Sequence, residues 1–453
     1  MTAAATGRWR VAPREPTVAR PGQIAALGSA VLAGALFLTP YLTWRVLPDM
    51  LFTISDALFL LAALLLLAGN AINATPLRGL TLPWMGGLFA LLLGLFVASV
   101  LNDDSSRWLI VAGQYFMAYA VLPLLVIQRD PARSIAISRP MLYGVLAMEL
   151  FGIAVYFVTG GSRDETKWMA HEFITGAHRL STFMADANWN AAMIAMTMPF
   201  LLYLSRVRAI PTVITYAGLV VLGTALLLSG SFTGFTSAVA ALLLFTIVAG
   251  GSHAFRMVAV IAAALGVAFA MGLTLPSVFQ ARVAGAFEAG DINQAGTFAG
   301  RWELIKEAWG IVNNTTWVGL GVDRYRVVSA DQAPVHNMYL LIWAEGGVIA
   351  LLGWLAMMLA PLVAALRAMR HDRAAAALGL AVLLAFFAFT LASPHLYARS
   401  FIVPLLLSMG ISLSAGVQHR LTDQRADRSE RITTFGSEVR RKNTSRRGAK
   451  GVA

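Results

Sequence analysis

The sequence predicts an all-α fold, a polytopic transmembrane helix bundle of about twelve spans with a large outer-side loop containing short helices. Three observations carry this prediction. Of the 453 residues, 58% are hydrophobic and 13% charged, where soluble domains carry roughly 25% charged residues. The apolar residues gather into runs of about 20, the length at which a helix crosses a bilayer. Lys and Arg fall unevenly between those runs: with both ends inside, 24 of the 35 lie on the inner side and 11 on the outer, the bias that orients membrane proteins. The same distribution sets nucleic acid aside as the reason for the net charge of +12, because the basic residues sit in short loops and in a tail after Val417. The chain has no cysteine, which removes disulfides, thiolate metal sites and cysteine nucleophiles.

Residues 1–22 are polar and basic, with Arg8, Arg10, Arg14 and Arg20 among three prolines, and are expected to form a disordered cytoplasmic lead. The run Ile24–Thr39 is apolar enough for a signal core but is followed by no small-residue cleavage site, so it reads as the first span. The expected spans are 24–40, 50–69, 82–101, 108–127, 140–158, 187–204, 211–228, 234–249, 256–274, 337–364, 375–392 and 399–416. Backbone groups in lipid must be satisfied within the segment, so each is a helix. Merging 211–228 with 234–249 would invert all that follows and put Arg367, Arg370 and Arg373 outside, against the charge rule. Residues 23–416 therefore read as one transmembrane domain. The tail 417–453, basic and nearly without apolar residues, is expected to be disordered on the cytoplasmic side, beside anionic lipid.

Two outer loops are long enough to fold. Loop 159–186 carries Arg163, Asp164, Glu165, His171, Glu172, His178 and Arg179. Loop 275–336 is the long polar stretch between two strongly apolar ones. It holds Arg282, Arg301, Lys306, Arg324 and Arg326 and delivers His336 to the mouth of the next apolar run. Within it Trp302, Ile305, Ala308, Trp309 and Val312 recur at helical spacing, which predicts an amphipathic helix along the membrane surface with its tryptophans at headgroup level. Asn313-Asn314 would end it.

His336 is the first candidate for chemistry, since a neutral imidazole titrates near physiological pH and accepts a proton from a hydroxyl. Neighbouring arginines would keep it neutral, as a base requires. The competing reading is an interfacial histidine that packs a helix start. Arg301, Arg282 and Arg324 offer guanidinium forks that match diphosphate oxygens without a metal; for any one of them, headgroup contact is the competing reading. Arg179 immediately precedes a span and can point into the same cavity, and Arg399 stands at the outer mouth of the last span. Glu345, nine residues after His336, and Glu149 are ionisable groups inside spans, which usually face a cavity or a partner. Asp56, near a span start, belongs with them. Other patterns fail. His171-Glu172 with His178 lacks the spacing of a zinc helix, and Gly319-x-Gly321 lacks the third glycine and the strand of a dinucleotide loop.

Several strings together resemble the O-antigen ligase and O-antigen polymerase family of bacterial envelopes. They are His336-Asn337-Met338-Tyr339-Leu340 with Glu345-Gly346-Gly347, Gly300-Arg301-Trp302 followed by Trp317-Val318-Gly319-Leu320-Gly321, Arg179 to Asn188, and Leu228-Ser229-Gly230-Ser231. The resemblance covers roughly 179–416 and implies metal-independent, cofactor-free glycosyl transfer at the periplasmic face of the bacterial inner membrane. The donor would be an undecaprenyl-diphosphate-linked glycan and the acceptor a hydroxyl of lipid A–core or of another glycan. The family's essential arginine and histidine map onto Arg301 and His336. Diphosphate contacts fall to Arg179, Arg282 and Arg324, with Glu345, Tyr339, Asn337 and Arg399 as further candidates. One position departs from the family pattern: Phe232 stands after the Ser-Gly-Ser turn where an arginine is often found, so its contact would come from Arg179 or Arg282. Two other classes compete. One is a transporter or flippase of the same helix count, for which Glu149 and Glu345 are the only hints. The other is a protein O-oligosaccharyltransferase, which differs only in acceptor.

Overall fold

The computed structural model describes residues 21–47, 51–102, 105–169, 172–250, 276–290, 298–394 and 398–415, together with residue 259. The tail 417–453 and His171 lie outside the described residues, as do nearly all of the N-terminal lead and of the expected span 256–274.

The described chain is almost entirely helical, with two small two-stranded hairpins. The helices are α1 (Pro21–Phe37), α2 (Ile54–Ala68), α3 (Thr81–Leu101), α4 (Ser105–Val126), α5 (Pro131–Val158), α6 (Ala187–Arg206), α7 (Thr212–Ser229) and α8 (Phe232–Ala249). They continue with α9 (277–289), α10 (Phe298–Asn314), α11 (Met338–Ala368), α12 (Arg373–Thr390) and α13 (Arg399–Ala415). Seven of the described helices are long and apolar enough to cross a membrane, namely α3 with the turn before it, α4, α5, α7, α8, α11 and α12. Three shorter apolar helices, α1, α2 and α13, occupy three more of the expected positions. The chain is a multi-pass membrane protein. Helix α6 runs through the centre of the bundle and is buried along almost its whole length.

Local chemistry explains where the helices begin. Helix α2 starts at Ile54 rather than at 50, because Phe52–Thr53 pairs with Arg45–Leu47 and Thr53 then forms a reciprocal cap with Asp56. Helix α5 starts nine residues before the expected 140: Asp130 accepts from the Ala132 amide and Pro131 sits in the first turn, where a missing N–H costs nothing. Helices α7 and α8 are separate, as the charge argument requires. Gly230 between them adopts φ 54°, a left-handed stop, and Ser231 caps the next helix by accepting from the Gly234 amide.

Small residues let α3 and α11 approach closely. A Cβ on Gly94 would lie 2.7 Å from both the Ala350 nitrogen and the Gly346 oxygen, and one on Gly353 would lie 2.5 Å from the Leu91 nitrogen. Close backbone approach through small residues is how helices associate where lipid offers no hydrophobic drive.

Both long loops contain folded segments. In the first, a turn with Ala177 and His178 at positive φ pairs Ile174–Thr175 with Arg179–Leu180. In the second, α9 packs over the α7–α8 turn, since a Cβ on Gly230 would lie 2.7 Å from Val278 Cγ2. Helix α10 forms at the expected position, but much of its expected stripe packs on protein. Leu304, Ala308 and Val312 pack with Tyr325, Val335, Leu340 and Ala344 against the start of α11, while Trp302 and Trp309 stay exposed on its flank. The stripe at i, i+4 and i+8 thus covers protein, and the tryptophans left over are what a surface position has available.

Candidate active site

A cavity of about 240 Å³ opens where the end of loop 159–186, the α7–α8 turn, α10 and the approach to α11 meet. Arg301 and His336 both line it, although 35 residues of sequence separate them. Asp186, Asn188 and Trp189 at the start of α6, Ser231, Thr233 and Ser237 around the start of α8, and Phe389 and Ser393 at the end of α12 complete much of the wall.

Each charged group is held by backbone that the sequence shapes locally. Arg179 lies in the short hairpin, buried, with Nε donating to the Ser229 carbonyl at 2.8 Å and Nη2 to Asn188 Oδ1 at 2.7 Å. Ser231 Oγ donates to the same Asn188 oxygen at 3.0 Å, so the hairpin, α6 and the α7–α8 turn close into one network. Arg282, on α9, brings its Cδ within 3.7 Å of the point a Gly230 Cβ would occupy. The two arginines therefore flank the Ser229-Gly230-Ser231 turn, beside Phe232. His336 lies two residues before α11, half-buried, and Asn337 caps that helix by accepting from the Leu340 amide at 3.1 Å.

Electrostatics tie these groups together. Burial holds the Arg179 guanidinium down to about 10, with Arg282 and Arg301 adding to the effect and Asp186 opposing it. Arg282 is lowered by burial alone. Burial lowers Arg301, Asp186 pulls it back up, and Arg282 pushes it down again. Burial, then Arg301, depress His336 below the usual histidine value, again against Asp186. All three guanidinium groups keep their protons at neutral pH, and the imidazole is neutral. The cavity therefore carries one guanidinium and one uncharged base on its wall, with the guanidinium groups of Arg179 and Arg282 nearby. Among the described residues no group of three or more His, Cys, Asp and Glu is placed to hold a metal ion.

The remaining candidates lie elsewhere. Arg324 donates to the Asn102 carbonyl at 2.9 Å, beside the end of α3. Glu345 borders a separate cavity of about 30 Å³ with Asp323 and Arg326. Its carboxylate accepts from the Tyr325 amide at 3.3 Å, while its carbonyl accepts from the Gly321 amide at 2.9 Å. Segment 316–321 docks on α11 in this way, where Gly347 breaks the helix at φ 69°. The Tyr339 hydroxyl meets Thr390 Oγ1 at 3.1 Å. Arg399 is buried in a bidentate ion pair with Asp56, Nε to Oδ1 at 2.7 Å, tying α13 to α2. Glu149 is fully buried and accepts from Asn190 Nδ2 at 3.3 Å. The residue that sequence reasoning passed over is Asp186. Its only local signal was that of a helix cap, an Asp just ahead of an apolar run.

The apolar α7 and α8, the Ser-Gly-Ser turn, the two loop arginines and the histidine before α11 thus follow one another in a single stretch of chain. Residues 217–355 match the O-antigen ligase family model. The resemblance read from the motifs holds over that segment. The O-antigen ligase match contains Ser229-Gly230-Ser231, Arg282, Arg301, His336 and Glu345 and leaves Arg179 and Asp186 outside. No curated protein matches the chain.

Proposed function

We propose that the protein is an inner-membrane glycosyltransferase that moves a glycan from undecaprenyl diphosphate to an acceptor hydroxyl at the periplasmic face, as an O-antigen ligase or a polysaccharide polymerase. The observation that carries this reading is the shared cavity of Arg301 and His336 with Arg179 and Arg282 close by, inside a membrane bundle with an O-antigen ligase match. In this reading residues 23–416 form the transferase, and the basic tail and N-terminal lead remain cytoplasmic.

The mechanism follows from the charges. The acceptor oxygen attacks the anomeric carbon of the donor sugar, a new glycosidic C–O bond forms, and the bond to the diphosphate breaks. His336 takes the acceptor's proton, a role worth roughly 10²–10⁴-fold. Arg301, Arg179 and Arg282 stabilise the negative charge that gathers on the departing diphosphate. Arg179 and Arg282 supply the contact that Phe232 does not. A single displacement inverts the anomeric carbon, and guanidinium groups do the neutralisation that a metal would otherwise do.

The test is deletion of the gene followed by complementation with wild type, His336→Ala and Arg301→Lys, reading surface polysaccharide on gels. Neither variant is expected to restore long chains, although both reach the membrane at wild-type level, because a lysine point charge does not replace the fork. Polymer left on its lipid carrier identifies a ligase, and single repeats identify a polymerase. Full restoration by His336→Ala removes the assignment of the base.

A further inference from the structure

We propose that Asp186 is a positioning residue for the transfer, the carboxylate that lets His336 carry a proton beside the arginines. The proposal rests on the reading of His336 as the base. Its geometry is fixed by the fold. Asp186 is the N-cap of α6, with Oδ1 accepting from the Asn188 amide at 2.8 Å and the Trp189 amide at 3.1 Å, and the residue borders the same cavity as Arg301 and His336. Among the described residues lining that cavity it is the one carboxylate. The charged and titratable groups it acts on are Arg179 from the hairpin, Arg301 from α10 and His336 before α11, and Arg282 on α9 acts in turn on Arg179 and Arg301. The residues lining the cavity from α8 and α12 are uncharged.

The need for it follows from the proton's path. A neutral imidazole is what the positive pocket favours at rest. On taking the acceptor's proton the ring becomes a cation, and that state is opposed by burial and by Arg301. The donor diphosphate offsets the arginines, but its developing charge sits on the leaving oxygen, across the anomeric carbon from the acceptor. Asp186 acts on the imidazole in the favourable sense, and it does so from a helix cap that cannot swing away. The same carboxylate also favours the charged form of Arg301. Asp186 therefore trades some donor affinity for a base that completes its proton transfer.

The discriminating variants are Asp186→Asn and Asp186→Ser, since both side chains cap helices and neither carries charge. Measured on the purified full-length protein with a polyprenyl-diphosphate donor, both are expected to melt at the wild-type temperature. kcat should fall about tenfold, a part of the roughly 10²–10⁴-fold that a general base contributes. The donor KM should stay level or drop, because a negative charge has left the diphosphate pocket. The acid limb of kcat/KM should move to lower pH, since the group that raised the His336 pKa is gone. If both variants keep the wild-type kcat and the wild-type acid limb, Asp186 is a helix cap only and the proposal is overturned. A His336→Ala enzyme that remains active overturns the base itself, a failure distinct from this one.

Discussion

Arg179 Nη2 donates to Asn188 Oδ1 at 2.7 Å, across a hairpin and the first turn of the central helix. Its Nε reaches the Ser229 carbonyl at 2.8 Å. One guanidinium thereby joins three elements that surround the cavity, in a geometry only a planar fork satisfies.

Arg179→Lys keeps the charge and loses that fork. Hydrogen bonds from a charged group contribute about 1.5–3 kcal/mol each, so glycan transfer is expected to fall by roughly one to two orders of magnitude. The drop is checked in a donor-turnover assay, with Arg179→Ala as the lower bound.

The pH dependence has a defined sign. His336 works as a base only when neutral, and burial with Arg301 lowers its pKa from the ordinary value. Activity should therefore rise with pH through a limb that lies below about 6.5, the reference for histidine, and be flat above it. A limb above that value in a kcat/KM profile contradicts the assignment.

Asp56 and Arg399 form a pair almost wholly withdrawn from solvent. Removing one partner of a buried pair strands the other charge at a cost of about 3–5 kcal/mol. Asp56→Ala is expected to lower the thermal midpoint in detergent by several degrees, and Asp56→Asn by less, because an amide still accepts from the guanidinium. Loss of activity in these variants should track loss of folded protein.

Gly347 has φ 69° and its added Cβ would lie 2.3 Å from the Trp317 carbonyl oxygen. Gly347→Ala should cost about 1–3 kcal/mol from backbone strain alone, with more from the clash. The expected result is faster proteolysis within 316–332, read by mass spectrometry of limited digests, together with reduced transfer.

Much of this was legible in the linear chain. Helix positions followed from runs of apolar residues, because a backbone in lipid has no other way to satisfy its polar groups. The separation of α7 from α8 followed from the arginines further on. His336 and Arg301 followed from residue type and from their order along the chain, and they do line one cavity. Other features were not legible, for physical reasons. Arg324 was read as a loop arginine and Arg399 as a residue at the mouth of the last span, yet charge alone does not say what it pairs with: Arg399 found Asp56, more than 300 residues away in sequence. The apolar stripe of α10 was real, but a stripe does not reveal whether lipid or protein covers it. Asp186 was invisible because a capping aspartate and a cavity-lining one share the same local signal.

By itself the sequence determined that the chain is a helical membrane protein, roughly where its helices lie, and which histidine and arginine carry the resemblance. Those features depend on neighbours a few residues apart. The tertiary structure alone decided which guanidinium groups converge, that a carboxylate stands among them, and that Glu345 and Arg399 hold the frame instead of lining the cavity with Arg301. Those features depend on groups brought together from distant segments by packing, and apolar spacing along a chain carries no record of which distant segment it will meet.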